Sequence, residues 1–107
     1  MEAINRHGAN HFSYPRLALI DGQRDPWRAA TSHADGLPKR NSTVSQPALI
    51  IKGGVHHWDE NGLLPNEVSP GLPPAPVAHA QRVELKFVQA WLREWKLKRS
   101  IRDETSY

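Results

Sequence analysis

The sequence predicts an α/β fold with two parallel strands, connecting loops and one long C-terminal amphipathic helix. Two short apolar runs, Arg16–Ile20 and Ala48–Ile51, have the length and composition of buried strands. Apolar residues recur at steps of three and four between Ala75 and Lys98, which is the period of an amphipathic helix. The connection between the two runs is long enough for a crossover, so we expect the second strand to lie parallel to the first.

The predicted first strand leads into a loop that carries two acidic residues. Pro15 is acceptable at the start of a strand, and Pro26 suits the first turn of a short helix after the loop. Asp21 precedes a glycine, and Asp-Gly is a common turn former, so we interpret Asp21 as a turn residue. Asp25 is the candidate functional acid, and a turn or cap role ahead of Pro26 is its structural alternative. Trp27 is predicted to be a packing anchor.

The predicted second strand leads into a glycine-rich turn that carries two histidines. Gly53 and Gly54 permit backbone conformations closed to other residues, so His56 can be directed out of the sheet. Functional groups of open α/β sheets gather at the carboxyl ends of the strands. Neighbouring strands are close, so Asp25 is expected at the same edge, where it could orient His56. The structural alternative is that one histidine of the pair His56-His57 packs beneath a loop and the other is solvated.

A metal site is the alternative chemical interpretation of the same turn. His56, His57, Asp59 and Glu60 are residue types that bind zinc or iron. Adjacent histidines rarely converge on one ion, and no third ligand stands at helical His-x-x-x-His spacing from this pair. The sequence therefore predicts neither a metal nor another cofactor.

The predicted helix has one apolar face that we expect to cover the sheet. Trp91 and Trp95 stand at helical spacing and are interpreted as part of this face rather than as a platform for stacking a ligand. The apolar positions of the face are Val77, Ala80, Val83, Phe87, Val88, Trp91, Leu92 and Trp95.

Two segments of the sequence carry a family resemblance. The first is Ile20–Arg28, which contains Asp25-Pro26-Trp27, and the second is Gly53–Asp59, which contains His56-His57. In this order they resemble the C-terminal part of the prolyl carboxypeptidase and dipeptidyl peptidase II family, in its fungal secreted branch. The resemblance extends from about Arg16 to Trp95. It implies an α/β-hydrolase fold in which Asp25 is the acid and His56 the base of a serine peptidase triad. It also implies a peptide substrate and an exopeptidase activity, either proline-selective carboxypeptidase or dipeptidyl peptidase.

The triad implied by the resemblance is incomplete in these 107 residues. In the α/β-hydrolase fold the nucleophile precedes the acid and the base, within a G-x-S-x-G motif that this sequence lacks. We therefore expect residues 1–107 to be a single incomplete unit, the C-terminal portion of a peptidase domain whose N-terminal part carries the serine. Alone it is expected to be inactive; the alternative is a non-catalytic truncated protein or a small binding module. Poor order is expected for residues 1–14 and 99–107.

Composition and charge argue against several other classes of protein. The net charge is +3, but the basic residues accompany no nucleic-acid-binding motif and concentrate near the end of the predicted helix, where they complement its dipole. We therefore expect no nucleic acid partner. No apolar stretch reaches membrane-spanning length, and residues 1–10 do not form a secretory signal. Asn41 begins an Asn-Ser-Thr glycosylation acceptor, which together with the resemblance favours a secreted, vacuolar or lysosomal parent protein.

Overall fold

The computed structural model describes Ala3 and residues 6–105 of the chain. Among these residues, the regular elements are the strand β1 (Leu19–Gly22), the strand β2 (Ala48–Ile51), the helix α1 (Ala75–Glu104) and two short 3₁₀ turns at Ala9–His11 and Pro26–Ala30. The two strands form a parallel sheet, which confirms the predicted strand arrangement. The long C-terminal helix is confirmed as well. This arrangement is compatible with an α/β fragment.

The first strand differs from the prediction at both ends. It begins at Leu19 rather than at Arg16, because Arg16 has a left-handed φ of 60° that is incompatible with an extended strand. It continues through Asp21 to Gly22, because both residues pair with the apolar end of β2. The interpretation of Asp21 as a turn residue is therefore wrong: parallel pairing extends further than the apolar residues of the first run.

The short helix predicted after Pro26 is present as the 3₁₀ turn Pro26–Ala30. Asp25 is its N-cap, and its Oδ1 accepts a hydrogen bond from the backbone N–H of Trp27 at 2.8 Å. The prediction that Trp27 anchors the packing is wrong, since its side chain is exposed to solvent. The cap uses the backbone of Trp27 and leaves its ring outside the core.

The core is small and lies between α1 and β2. Ile51 of β2 and Val77, Ala80 and Phe87 of α1 are buried apolar side chains. Trp91 is half-buried, with its ring against Phe87 at a centroid distance of 4.8 Å. Its indole N–H donates to a backbone carbonyl of the loop before β2 at 2.7 Å. One stripe of the predicted apolar face thus covers the sheet.

The rest of the predicted apolar face is exposed. Val88, Leu92 and Trp95 face solvent, so the prediction that they cover the sheet is wrong. A sheet of two strands is narrow, and a single stripe of α1 is enough to cover it. The radius of gyration is 17.4 Å, well above the roughly 13 Å expected for a compact chain of this length. The helix is therefore only partly packed.

The helix α1 begins at Ala75, as predicted, but it continues beyond the predicted end at Lys98 to Glu104. No glycine or proline interrupts this stretch, so nothing in the backbone ends the helix earlier. Thr105 ends it by donating both its backbone N–H and its hydroxyl to a carbonyl one turn back.

The sequence predicts poor order for residues 1–14 and 99–107. Part of this prediction falls on residues 1, 2, 4, 5, 106 and 107, which lie outside the described residues. Within the described part, Arg40 contacts the first segment by donating to the carbonyls of Asn10 and Phe12 at 2.9 and 2.7 Å. Across the described residues, no helix combines the length and the apolar composition that a membrane span requires.

Candidate active site

Hydrogen bonds join the loops that follow β1 and β2 at the carboxyl edge of the sheet. The backbone N–H of Gln23 donates to the carbonyl of Ile51 at 3.0 Å, and that of Arg24 donates to the carbonyl of Gly54 at 2.8 Å. The side-chain carbonyl of Gln23 accepts from the N–H of Gly53 at 2.8 Å. These contacts extend the pairing past the strands and fix the two loops side by side.

Glycines allow the two loops to approach this closely. A Cβ atom at Gly22 would lie 2.5 Å from the carbonyl oxygen of Val55 and 2.7 Å from that of Gly54. Any side chain at this position would therefore displace the neighbouring loop. Gly53 has a φ of 71°, which is the special conformation that the sequence predicts for the glycine pair. The close approach at Gly22 has no local sequence signal, because it depends on the loop from the other strand.

Asp25 and His56 are in direct contact. Oδ2 of Asp25 lies 2.7 Å from Nδ1 of His56. The Asp25 side chain is only 6% exposed, whereas the His56 side chain is 49% exposed. The acid is enclosed and the imidazole is open to solvent, as expected of an acid that orients a base.

The two carboxylate oxygens of Asp25 have separate partners, so its cap role and its contact with His56 coexist. Burial acts to raise the pKa of Asp25, but hydrogen bonds from His56 and from the N–H of Trp27 outweigh it, and the pKa lies below its usual 3.8. An ionised carboxylate only accepts hydrogen bonds, so Nδ1 of His56 carries the proton. In a neutral imidazole this tautomer has its lone pair on Nε2, and the contact of the ring with Asp25 is made by Nδ1 alone.

His57 contacts a different acid from His56. Its backbone has a left-handed φ of 55°, and its Nδ1 lies 2.7 Å from Oε2 of Glu60. The hydrogen bond to Glu60 and the charge of Glu60 raise the pKa of His57 above 6.5. The His57 side chain is 55% exposed and that of His56 is 49% exposed, so the structural alternative in which one histidine packs beneath a loop is not supported. The two imidazole rings nevertheless contact each other edge to face, with their centroids 3.8 Å apart.

Both histidines line an open cavity of about 340 Å³ at the end of the sheet. The metal-site alternative is not supported there, because no group of three or more histidine, aspartate or glutamate side chains among the described residues is arranged to hold an ion. The Nδ1 atoms of His56 and His57 are instead paired with separate carboxylates.

A second aspartate–histidine pair begins on β1. Oδ2 of Asp21 lies 2.6 Å from Nδ1 of His33, and the hydroxyl of Thr31 donates to the same oxygen at 2.9 Å. Thr31 also accepts a hydrogen bond from the backbone N–H of His33. The His33 side chain is 7% exposed, so this pair is enclosed. The sequence pattern did not predict the pair; its one available signal was an aspartate inside a strand, which requires a polar partner.

Asn41, the predicted glycosylation site, is exposed in the irregular connection before β2. Thr43 of the same acceptor motif accepts a hydrogen bond from the backbone N–H of Gln46 at 3.0 Å. The exposure is compatible with modification. Glycosylation of Asn41 stays a prediction.

Comparison with known proteins identifies the class of protein that the chain is similar to. Over 93 residues, which are 87% of its length, the chain is 42% identical to a probable extracellular serine carboxypeptidase of Arthroderma benhamiae. This similarity supports a serine carboxypeptidase-like family. The chain spans 13% of the length of that relative. No family model and no solved structure matches the chain, so the α/β-hydrolase fold stays a prediction.

Proposed function

We propose that this chain supplies the base and the acid of a serine peptidase, with His56 as the general base and Asp25 as the residue that orients it. The observation that carries the proposal is the 2.7 Å contact between an enclosed carboxylate and an exposed imidazole. The similarity to a probable extracellular serine carboxypeptidase supports the same class of reaction.

The proposed chemistry begins at Nε2 of His56, which accepts the proton of a serine hydroxyl while the serine oxygen attacks a peptide carbonyl carbon. The imidazolium then donates this proton to the amine of the leaving residue, and an acyl-enzyme remains. A water molecule then attacks the acyl carbon while His56 accepts its proton. The imidazolium returns this proton to the serine oxygen as the bond between the acyl carbon and the serine oxygen breaks, which releases the carboxylic acid and restores the serine. Asp25 stays ionised throughout, which agrees with its lowered pKa.

The serine is proposed to come from a segment outside these residues, because they contain no G-x-S-x-G motif. We propose an α/β-hydrolase fold for the assembled domain and a peptide as its substrate. The finer assignment, to proline-selective carboxypeptidases or dipeptidyl peptidases, is supported by the resemblance in Asp25-Pro26-Trp27 and in His56-His57.

We also propose a secreted, vacuolar or lysosomal location for the parent protein. The relative named above is described as extracellular, and Asn41 is exposed. Expression through a secretory pathway should yield a form whose mass falls on endoglycosidase treatment. The same treatment should leave the mass of Asn41→Gln unchanged; a mass that falls equally in this variant would contradict the site.

A graft tests the proposed base. The chain replaces the 93 matched residues of the Arthroderma benhamiae relative, and the product is assayed for peptide hydrolysis and for labelling by a fluorophosphonate. His56→Ala should lower kcat by roughly 10⁴-fold with little change in KM, because it removes the proton acceptor. His57→Asn is the matched control, since asparagine tolerates the left-handed backbone at this position, and it should retain most of the activity.

The outcomes of the graft are distinct. An active His56→Ala variant together with an inactive His57→Asn variant would contradict the proposal that His56 is the base. A graft that is folded but neither hydrolyses peptides nor labels would favour the alternative, a non-catalytic truncated protein or a small binding module.

A further inference from the structure

The helix α1 contacts the histidine turn, defined here as residues 53–60, through two side chains that are one turn apart. Nε2 of Gln81 donates to the backbone carbonyl of Asp59 at 2.9 Å. Glu84 lies on the same side of the helix, and its carboxyl group is within hydrogen-bonding reach of the Asp59 carboxyl group. The turn that carries His56 is thus attached to α1 at Asp59.

The carboxyl group of Glu84 is enclosed among acidic neighbours. Its Oε1 is shielded from solvent and has no hydrogen-bond partner in the described part of the chain. Burial raises the pKa of Glu84 above 4.5, and the nearby carboxyl groups of Asp59 and Glu60 raise it further. A proton on one of these facing carboxyl groups would reduce their mutual repulsion.

We propose that Glu84 is a positioning residue that, in its protonated form, binds the histidine turn to α1 by donating a hydrogen bond to the carboxylate of Asp59. The protonated carboxyl group supplies the one donor that two facing carboxylates lack. It also removes a negative charge from an enclosed place, where a charge is poorly solvated. Gln81 and Glu84 then hold the backbone and the side chain of Asp59 respectively.

Asp59 connects this contact to the candidate active site. It lines the same cavity as Asp25 and His56. Loss of the Glu84 proton would place a second carboxylate against Asp59 with a third at Glu60, and their repulsion would release the turn from α1. The protonation of Glu84 therefore governs how firmly the turn holds His56, and the catalytic meaning of this step rests on the proposed function.

The direction of the pH dependence follows from the raised pKa. Folded Glu84 keeps its proton to a higher pH than the unfolded chain does, so the contact stabilises the turn fully below 4.5. This stabilisation is lost as the pH rises through the native pKa. Asp59 and Glu60 face Glu84 from the turn, and Gln81 is its polar neighbour on the helix. The pKa of His57, the partner of Glu60, is raised above 6.5 by its hydrogen bond to Glu60 and by the charge of Glu60.

The test is an NMR titration of the side-chain carboxyl signals in the full 107-residue chain, with amide hydrogen exchange of the histidine turn measured alongside. Glu84 should titrate above 4.5. Glu94 is the matched control on the same helix, because the hydrogen bond from Lys98 lowers its pKa below 4.5. Exchange of the turn amides should accelerate with rising pH, beyond the intrinsic rate, by about tenfold for each unit of the Glu84 shift.

Two variants separate the proton from the shape of the side chain. The amide of Glu84→Gln donates to Asp59 at every pH, so protection of the turn should remain and its excess pH dependence should disappear. Glu84→Leu has a similar size but no donor, so the protection should be absent at every pH. Titration of Glu84 at or below 4.5, or an unchanged pH dependence in Glu84→Gln, would overturn the proposal. Neither readout needs peptidase activity, so an inactive graft and a failed titration are separate results.

Discussion

The part of the chain that the structure describes holds two aspartate–histidine pairs with nearly the same contact distance. The carboxylate oxygen lies 2.7 Å from Nδ1 in Asp25–His56 and 2.6 Å from Nδ1 in Asp21–His33. The pairs differ in access to the imidazole, because the His56 side chain is 49% exposed and the His33 side chain is 7% exposed. His56 can offer its second ring nitrogen to another molecule, whereas His33 is enclosed by its own chain.

The difference comes from the position of each acid relative to the sheet. Asp21 is inside β1, and its neighbour Thr31 donates to the same carboxylate oxygen that contacts His33. Asp25 stands beyond the strand, at the cap of a 3₁₀ turn, and its partner comes from the loop after the neighbouring strand. A short contact between a carboxylate and an imidazole therefore does not identify a base. The proposed role as a base also requires an imidazole that is open to solvent, as the His56 side chain is.

The largest difference between the two pairs is expected when each aspartate is replaced by asparagine. In the graft, Asp25→Asn should lower kcat by about 10⁴-fold, because the imidazole loses the anion that sets its tautomer. Asp21→Asn should leave kcat of the folded protein nearly unchanged and lower the free energy of unfolding by about 1–3 kcal/mol, since enclosed polar groups lose a charged partner. Kinetics and urea unfolding of both variants test this. Equal losses of kcat would remove the distinction between the pairs.

Gly22 lies between Asp21 and Asp25 in the sequence. An alanine at this position should disturb the Asp25–His56 pair more than the Asp21–His33 pair. Its Cβ would lie 2.5 Å from the carbonyl oxygen of Val55, so the histidine turn must move outward. We expect a loss of about 1–3 kcal/mol in the free energy of unfolding, as in other overpacked sites. The ring signals of His56 should shift in NMR spectra more than those of His33.

Gly62→Ala is the matched control for Gly22→Ala, because an added Cβ at Gly62 meets no atom within 4 Å. It should leave stability and both sets of ring signals nearly unchanged. Equal stability of the two alanine variants would show that the histidine turn does not depend on the close approach at Gly22.

The smallest expected effect concerns the second histidine of the turn. Glu60→Gln should bring the pKa of His57 back toward 6.5, because the hydrogen bond and charge of Glu60 raise it. Stabilisation from this contact is present below pH 6.5 and is lost as the pH rises through the native pKa, and it is small since both side chains are exposed. NMR titration of the ring protons measures the change. If His56 shifted instead, the two carboxylates would be assigned to the wrong rings.

Local pattern predicted much of the fold and part of the site. The second strand, the start of α1 at Ala75 and the short helical turn after Pro26 are all present. Each depends on neighbours in sequence: an apolar run, a helical period, or a proline with a fixed φ. The meeting of Asp25 with His56 also followed from the sequence, because parallel strands bring their carboxyl ends to one edge of a sheet.

The errors occur where a residue's surroundings come from distant segments. Leu92 and Trp95 fit the apolar period of α1 but face solvent, because two strands offer too little surface to cover them. The sequence also did not predict the contacts of Asp21 with His33 and of Gln81 with Asp59, which required a loop and a helix to return to the sheet edge.

The sequence by itself therefore determined the order and type of the elements and the edge at which the candidate acid and base meet, since these follow from local periodicity and strand direction. Tertiary structure alone decided which imidazole is exposed, which acid is enclosed and which glycine is approached closely by the neighbouring loop. Burial and contact between distant segments control solvation, and solvation sets both the protonation of a side chain and its access to a substrate.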